Sequence, residues 1–453
     1  MDSANGHGKC FIHQLAPIDH LSPRVHTAKI IYFCTNENPE KILTTLRDAL
    51  AKSISAFPII GGSIGLMKQA PQIGTLAVQA PFFTAEEILT RRDLRETYDY
   101  ETIRKEDFPL DAVEFKLVVP DLGANHSRVL LVQANFIHGG LVLTVAVHHN
   151  VVDEAGIFMI MKLLASYCRG DDGSLLIKPE WTDTTPLLNG KGNGCLEDHP
   201  EYKLRPAEES ATQVTTYQEY IAGSGTASAI LFFPDEALER LKKAAMRVEA
   251  VRWISTNNAL CALVWSSATA ARKLGKDVPY SMFNMVVDGR ARMDPPMSSE
   301  YIGNVVFVTT RSILPIPSLD VANIADTALN IRESVLAINN EVIKDKIAAV
   351  MGVDDIGRLA PRGYSSQGRH LACTSWAGQL YYTLDWGKEL GRVKRLRFPK
   401  SLSDGIFVIF PRIPANDDVG LGEGGIEIQI GLDEEGLERL REDKDLNQYV
   451  QWR

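Results

Sequence analysis

The stretch Leu141 to Gly156, LVLTVAVHHNVVDEAG, decides how the chain is read. An apolar, β-branched run leads to two adjacent histidines, His148 and His149, and Asp153 stands four positions after His149. Beyond it, Ile157, Met161, Leu164, Ala165 and Cys168 recur at the spacing that lines one face of a helix. The histidines therefore sit where a buried strand ends and a helix begins. Such junctions present side chains into a cleft in mixed α/β architectures.

Working outward, Arg128 to Ala134 reads as the partner of the Leu141 strand, joined to it by NFIHGG, whose Gly139 and Gly140 can supply positive φ. Upstream, AKIIYFC is strand-like, and Pro39 opens a helix with Ile42, Leu43, Leu46, Leu50 and Ile54 on one face. Downstream, residues 171–226 are rich in Gly, Pro, Asp and Asn, the composition of a linker long enough to cross between domains. Regular structure resumes with a strand at Ala229 to Phe233, and Ser255-Thr256 can cap a helix striped by Leu260, Leu263, Val264 and Ala271. Strands are expected at Ser281 to Val287, Val305 to Thr310, Gln379 to Leu384, Ile406 to Phe410 and Gly425 to Leu432. One long helix is expected over Leu319 to Ile343. Both halves mix strands and helices, so the fold class is α/β.

At 453 residues the chain exceeds one ordinary core. Its 45% hydrophobic and 23% charged residues are those of a globular protein, and a net charge of −9 argues against an extended nucleic-acid surface. The opening MDSANGHGKC lacks the pattern of a signal peptide, no apolar run reaches membrane-spanning length, and the six cysteines are scattered without a CxxC pair. A reduced, cytoplasmic chain with no metal, no nucleic acid and no membrane is the expectation.

His149 is of the right type for a general base, because an imidazole is largely neutral near pH 7. Asp153 has two readings from the residues alone: it orients the imidazole, or it turns away and pairs with an arginine. The hydrolase signatures, a GxSxG elbow and the HExxH spacing, are not read in the chain. Cys373 reads as a buried thiol.

Seven blocks, in order, resemble the BAHD acyl-CoA-dependent acyltransferases, and most of all the fungal trichothecene 3-O-acetyltransferase type. They are Leu15 to Asp19 with Leu46 to Gly62, the His149 to Asp153 motif, Ser255 to Trp265, Val287 to Pro296 with Tyr301 to Asn304, Thr374 to Trp376, Leu384 to Gly391, and Gly424 to Lys444. Two departures stand out. Glu154 replaces the glycine of the usual HxxxDG, and the DFGWG block is reduced to Asp385-Trp386-Gly387. The resemblance implies two chloramphenicol-acetyltransferase-like domains, residues 1–170 and 227–453, joined by a crossover at 171–226. It implies acyl transfer, most simply of acetyl, from acyl-CoA to a hydroxyl of a small-molecule acceptor, by a monomer. His149 would be the base, Asp153 its anchor through Arg290, and Trp376 and Thr374 would line the oxyanion, while Asp385 and Gly387 would be structural. Ser255 and Thr256 correspond to a stretch near the CoA in the family; separately, the basic run from Lys388 to Lys400, a pattern usual for a solvated face, offers Lys394 and Arg395 as contacts to the CoA phosphates. A free-standing condensation domain, with its HHxxxDG signature, is the rival, and cyclisation or elimination by the same base is a further alternative.

Overall fold

The computed structural model describes residues 11–70, 72–209, 226–246, 253–361, 368–399, 402–415 and 422–453. The Leu141 run becomes the middle of a five-stranded sheet. Gly140–His148 lies between His26–Cys34 and Leu130–Ile137, antiparallel to both, with Leu89–Asp93 and Arg395–Arg397 at the edges. Every residue of Gly140–His148 is buried, which is why the strand reads as a continuous apolar run instead of an alternation. Gly139 makes the hairpin turn at a φ of 71°.

The helices Pro39–Ala56 and Glu154–Arg169 pack together on this sheet. Ile42, Leu43, Leu46 and Leu50 share a core with Ile157, Ile160, Met161 and Leu164. Full burial of each such side chain contributes about 2 kcal/mol. Asn38 caps the first helix by accepting from the Glu40 N–H, and Pro39 fills its first turn.

A second, eight-stranded mixed sheet runs in the order Val306–Val308, Tyr280–Asp288, Leu371–Ser375, Ile406–Ile409, Gly425–Asp433, Thr226–Pro234 and Gln451–Trp452, with Ser312–Pro315 also on Tyr280–Asp288. Leu371–Ser375 is parallel to both of its neighbours. Helix Thr256–Ala271 covers this sheet and buries nearly its whole circumference, including Trp265.

Three expectations change. The long helix expected over Leu319 to Ile343 is two, Ile324–Leu336 and Asn340–Met351. Asn339, in an extended conformation, accepts from the Val342 N–H and starts the second. The strand expected at Gln379 to Leu384 is a 3-10 turn, Tyr381–Thr383; consecutive Tyr381 and Tyr382 are both buried, which a one-sided strand does not allow. Within residues 171–209 there are short 3-10 turns and a strand, Tyr202–Leu204, that pairs with Leu359–Pro361, and Trp181 and Leu187 are fully buried. The rest of that stretch, 210–225, lies outside the described residues, as do the opening residues 1–10 and Lys400.

Neither core belongs to one half alone. Ala16, Ile18 and Leu21 join the core of the second sheet, whereas Trp376, Tyr381, Trp386, Val393 and Leu396 join that of the first. The edge strand Arg395–Arg397 pairs with His26–Cys34 across this boundary.

Candidate active site

The junction after Gly140–His148 is held from three sides. Asp153 caps helix Glu154–Arg169, its Oδ1 accepting from the Gly156 N–H at 3.2 Å. The same carboxylate meets Arg290, Nη2 to Oδ1 and Nη1 to Oδ2, both at 2.9 Å, and Oδ2 also accepts from the Val305 N–H at 3.1 Å. Arg290 further donates to the carbonyls of Tyr301 and Gly303. Of the two readings left open for Asp153, the geometry is the second: the carboxylate faces Arg290. Burial pushes the Arg290 guanidinium down, and Asp153 and Asp288 more than offset it, so its pKa stands above the ordinary arginine value. Both groups of this pair are almost completely buried, at 3% and 2% exposure, and removing one partner typically costs ~3–5 kcal/mol.

Gly156, two places beyond the usual position of the motif's glycine, is set by close packing. A Cβ there would lie 2.0 Å from the Ile302 carbonyl oxygen, so the first turn of the helix packs directly on the Tyr301 to Asn304 block.

The His149 backbone is clamped from residues that sequence reasoning gave no role. Asn304 Nδ2 donates to the carbonyls of His149 at 2.9 Å and Asn150 at 3.2 Å. Asp19 Oδ1 accepts from the backbone N–H and the Nδ2 of Asn304, and Ser22 Oγ donates to Asn304 Oδ1 at 2.8 Å. Asn150 Nδ2 ties back to the carbonyls of Asp19 and Ser22. Burial raises the Asp19 carboxyl to about 7, against the hydrogen bonds from Asn304 that lower it. Only Asp19 and Asn304, at the ends of quoted blocks, carried any sequence signal; Ser22 and Asn150 carried none.

His149 itself is half-buried, while His148 is fully buried and sits edge-on to the His26 ring at 5.2 Å. Burial lowers the His149 pKa, with Lys29 acting in the same direction and Asp153 in the opposite one. Its imidazole is thus biased towards the neutral form that accepts a proton.

Lys29 was missed as well. It sits in the His26–Cys34 strand with its side chain fully buried, its Nζ 2.6 Å from Glu154 Oε2 and 3.0 Å from the centre of the Trp376 ring. Tyr381 Oη donates to Glu154 Oε1 at 2.7 Å. A lysine in an otherwise apolar strand was the available signal.

The other expected residues are placed as follows. Thr374 is half-buried in Leu371–Ser375, and Trp376, 4% exposed, follows it directly. Ser255 caps helix Thr256–Ala271 by accepting from the Asn258 N–H at 3.1 Å, and Asn257 accepts from Ser375 Oγ at 3.3 Å. Asp385 and Gly387 lie at the far end of helix Glu154–Arg169, where Arg169 Nη1 donates to the Asp385 carbonyl and Gly387 adopts a φ of 85°. Lys394 is half-buried beside that turn and strand. Arg395 requires a correction: it is buried, its guanidinium 3.9 Å from Glu427 and from Asp107, so an internal carboxylate takes the place expected for a phosphate. Arg397 is bound by Glu427 as well, at 2.7 Å.

A second correction concerns the elbow. The letters GGSIG at Gly61 to Gly65 do match GxSxG, but Ser63 is buried at the start of an antiparallel strand and its Oγ donates to the Pro81 carbonyl at 3.1 Å, so it is no exposed nucleophile. Among the described residues no cluster of three or more His, Cys, Asp or Glu side chains forms a metal site, and no helix is long and apolar enough to cross a membrane. A cavity of about 720 Å³ lined by Lys191, His199, Arg311 and Lys346 lies away from this junction, against helix Asn340–Met351.

Residues 12–447 match the Transferase family. An acyltransferase of Botryotinia fuckeliana is 26% identical over 477 residues, covering 98% of this chain and 98% of its own length. A trichothecene 3-O-acetyltransferase of Fusarium sporotrichioides is 26% identical over 441 residues, 91% of this chain and 90% of its own. Among solved structures, F. graminearum TRI101 complexed with ethyl coenzyme A superposes with a TM-score of 0.80 at 21% identity, covering 98% of this chain and 99% of that one, which shows a common fold. A match that runs through both sheets, and through every block quoted from the sequence, places the chain: it belongs to the Transferase family, the BAHD-type acyltransferases its motifs resemble.

Proposed function

We propose that this protein transfers an acyl group, acetyl by preference, from acyl-CoA to a hydroxyl of a fungal-type secondary metabolite, with His149 as the general base. The observation that carries the reading is the division between His149 and Asp153. The carboxylate is spent on Arg290, so His149 is held by its backbone through Asn304, and its half-buried imidazole is biased to the neutral form. Relatives that share this length of chain bear acetyltransferase names, among them the trichothecene 3-O-acetyltransferase.

In this scheme His149 removes the proton of the acceptor hydroxyl as its oxygen attacks the thioester carbonyl carbon. The carbon–sulfur bond then breaks, and the proton passes from the imidazole to the leaving thiolate of CoA. Trp376 and Thr374 line the position of the developing oxyanion, where one preorganised donor contributes about 3 kcal/mol. Ser255 and Thr256, at a helix N-terminus, and Lys394 serve the CoA phosphates.

The test supplies acetyl-CoA and an acetylated carrier protein separately, each with a panel of alcohol-bearing fungal metabolites, and follows ester formation by mass spectrometry. Transfer from acetyl-CoA that disappears in His149→Ala is expected. Transfer from the carrier protein alone would overturn the assignment in favour of condensation-type chemistry.

A further inference from the structure

The position occupied by glycine in the usual signature carries Glu154 here, and its surroundings are built. Lys29 lies on the same face of its strand as Ile31 and Phe33, inside the first core, where an unpaired ammonium is strongly disfavoured. It is not left unpaired. Glu154 stands beside it in the first turn of its helix, where the N-terminal end of the helix dipole favours a carboxylate. The other oxygen of Glu154 is taken by Tyr381, from the second half of the chain. The ammonium also lies over the ring of Trp376, from the second half, with the Phe398 ring 6.0 Å away. Trp376 is in turn fixed by its backbone N–H donating to the Ile409 carbonyl and by the rings of Phe398 and Phe410. Glu154, Trp376 and Phe398, from three segments, thus surround one buried charge, and Tyr381 holds the Glu154 that pairs with it.

We infer that Lys29 and Glu154 form a positioning device that seats Trp376 against the acyl-transfer site, so that residues of the first half set the geometry of an aromatic wall supplied by the second. Neither Lys29 nor Glu154 needs to touch a substrate. The ammonium attracts the ring face electrostatically and fixes the plane of the indole, while Glu154 and Tyr381 fix the ammonium. The kinetic side of this inference rests on the acyl-transfer reading above; the structural side does not.

The experiment uses the full-length protein with Lys29→Met, Glu154→Gln and the double variant K29M/E154Q, which leaves no unpaired buried charge and so keeps the test open where a single variant fails to fold. Acrylamide quenching of tryptophan fluorescence reports on Trp376 without reference to activity. In the wild type Trp253, 58% exposed, and the half-buried Trp452 are accessible, whereas Trp181, Trp265, Trp376 and Trp386 are shielded. The double variant is expected to gain one quenchable tryptophan, a gain that adding Trp376→Phe abolishes. In steady-state transfer its kcat is expected to fall about tenfold or more while KM for acetyl-CoA stays within about threefold, the pattern of a misplaced wall rather than of lost binding. The double variant is expected to be no slower than the slower single one, because the pair acts as a unit. Unchanged quenching overturns the inference, and so does an unchanged kcat with altered quenching. A wild type that transfers no acyl group from CoA sinks the proposed function instead, and the quenching result then decides the seat of Trp376 alone.

Discussion

Asp153 and Glu154 are neighbours in sequence, and each holds a buried cation, yet the two pairs are built differently. Arg290 has Asp153, Asp288 and two backbone carbonyls around it, and Asp153 has two backbone N–H groups besides. Lys29 has one carboxylate and the face of an aromatic ring. The contrast follows from the cations themselves. A guanidinium stays charged in any protein environment and presents a fork of donors that a rigid loop can satisfy, whereas an ammonium is a point charge whose proton can leave. Burial lowers the Lys29 pKa to about 8, against the pull of Glu154, whereas Arg290 stands above its usual value. One pair is a permanent latch between the halves, and the other is an adjustable contact.

One pair anchors the junction that carries His149 and the other holds Trp376, so the largest expected effect is at the base itself. His149→Ala is expected to lower kcat by about a thousandfold, with an unchanged melting curve, as measured by acetyl-CoA consumption and circular dichroism. Next comes the latch. Asp153→Asn is expected to cost ~3–5 kcal/mol in urea unfolding, because Arg290 is left charged and buried. Glu154→Gln is expected to cost less, about 1 kcal/mol, since Lys29 can shed its proton; equal losses at the two positions would erase the distinction. Gly156→Ala is expected to destabilise by about 1–3 kcal/mol through the clash with the Ile302 carbonyl.

The smallest effects are in pH. Because burial lowers the His149 pKa, more than half of the base is neutral at the ordinary imidazole value of 6.5, and the acidic limb of kcat/KM is expected below that pH. For Lys29 the sign runs the other way from a stabilising ion pair. The unfolded chain binds the proton more tightly, so the cost of the charge is full below about 8 and relieved as pH rises towards 10.5. Wild-type stability relative to Lys29→Met is therefore expected to climb across that window. A flat difference would place Lys29 with Arg290, as a fixed charge.

The same contrast shows what the chain discloses before it folds. The Leu141 strand, the helix after Asp153 and the capped helix at Ser255 are legible because burial on a sheet and helical spacing act within a few residues. The pairing of Asp153 with Arg290 is implied by the resemblance to the acyltransferase family; the residues alone leave both readings of Asp153 open. Lys29, Glu154 and Tyr381 are brought together from three distant segments, and nothing local marks a lysine in a strand or a tyrosine in a turn as members of one contact. Arg395 shows the converse. A run of cations in sequence reads as a surface, yet every second residue of a strand points inward, and here the inward carboxylate is Glu427, from another strand altogether.

The strand Arg395–Arg397 also limits how the protein can be divided. It supplies the outer edge of a sheet whose other four strands precede residue 149. A fragment cut at the crossover would expose the hydrogen-bonding flank of His26–Cys34 at Ile30 to Tyr32, a template for pairing with another extended chain. Such a fragment is a seed for aggregation rather than half an enzyme, so complementation by co-expressed halves requires that they meet before either one finds another edge.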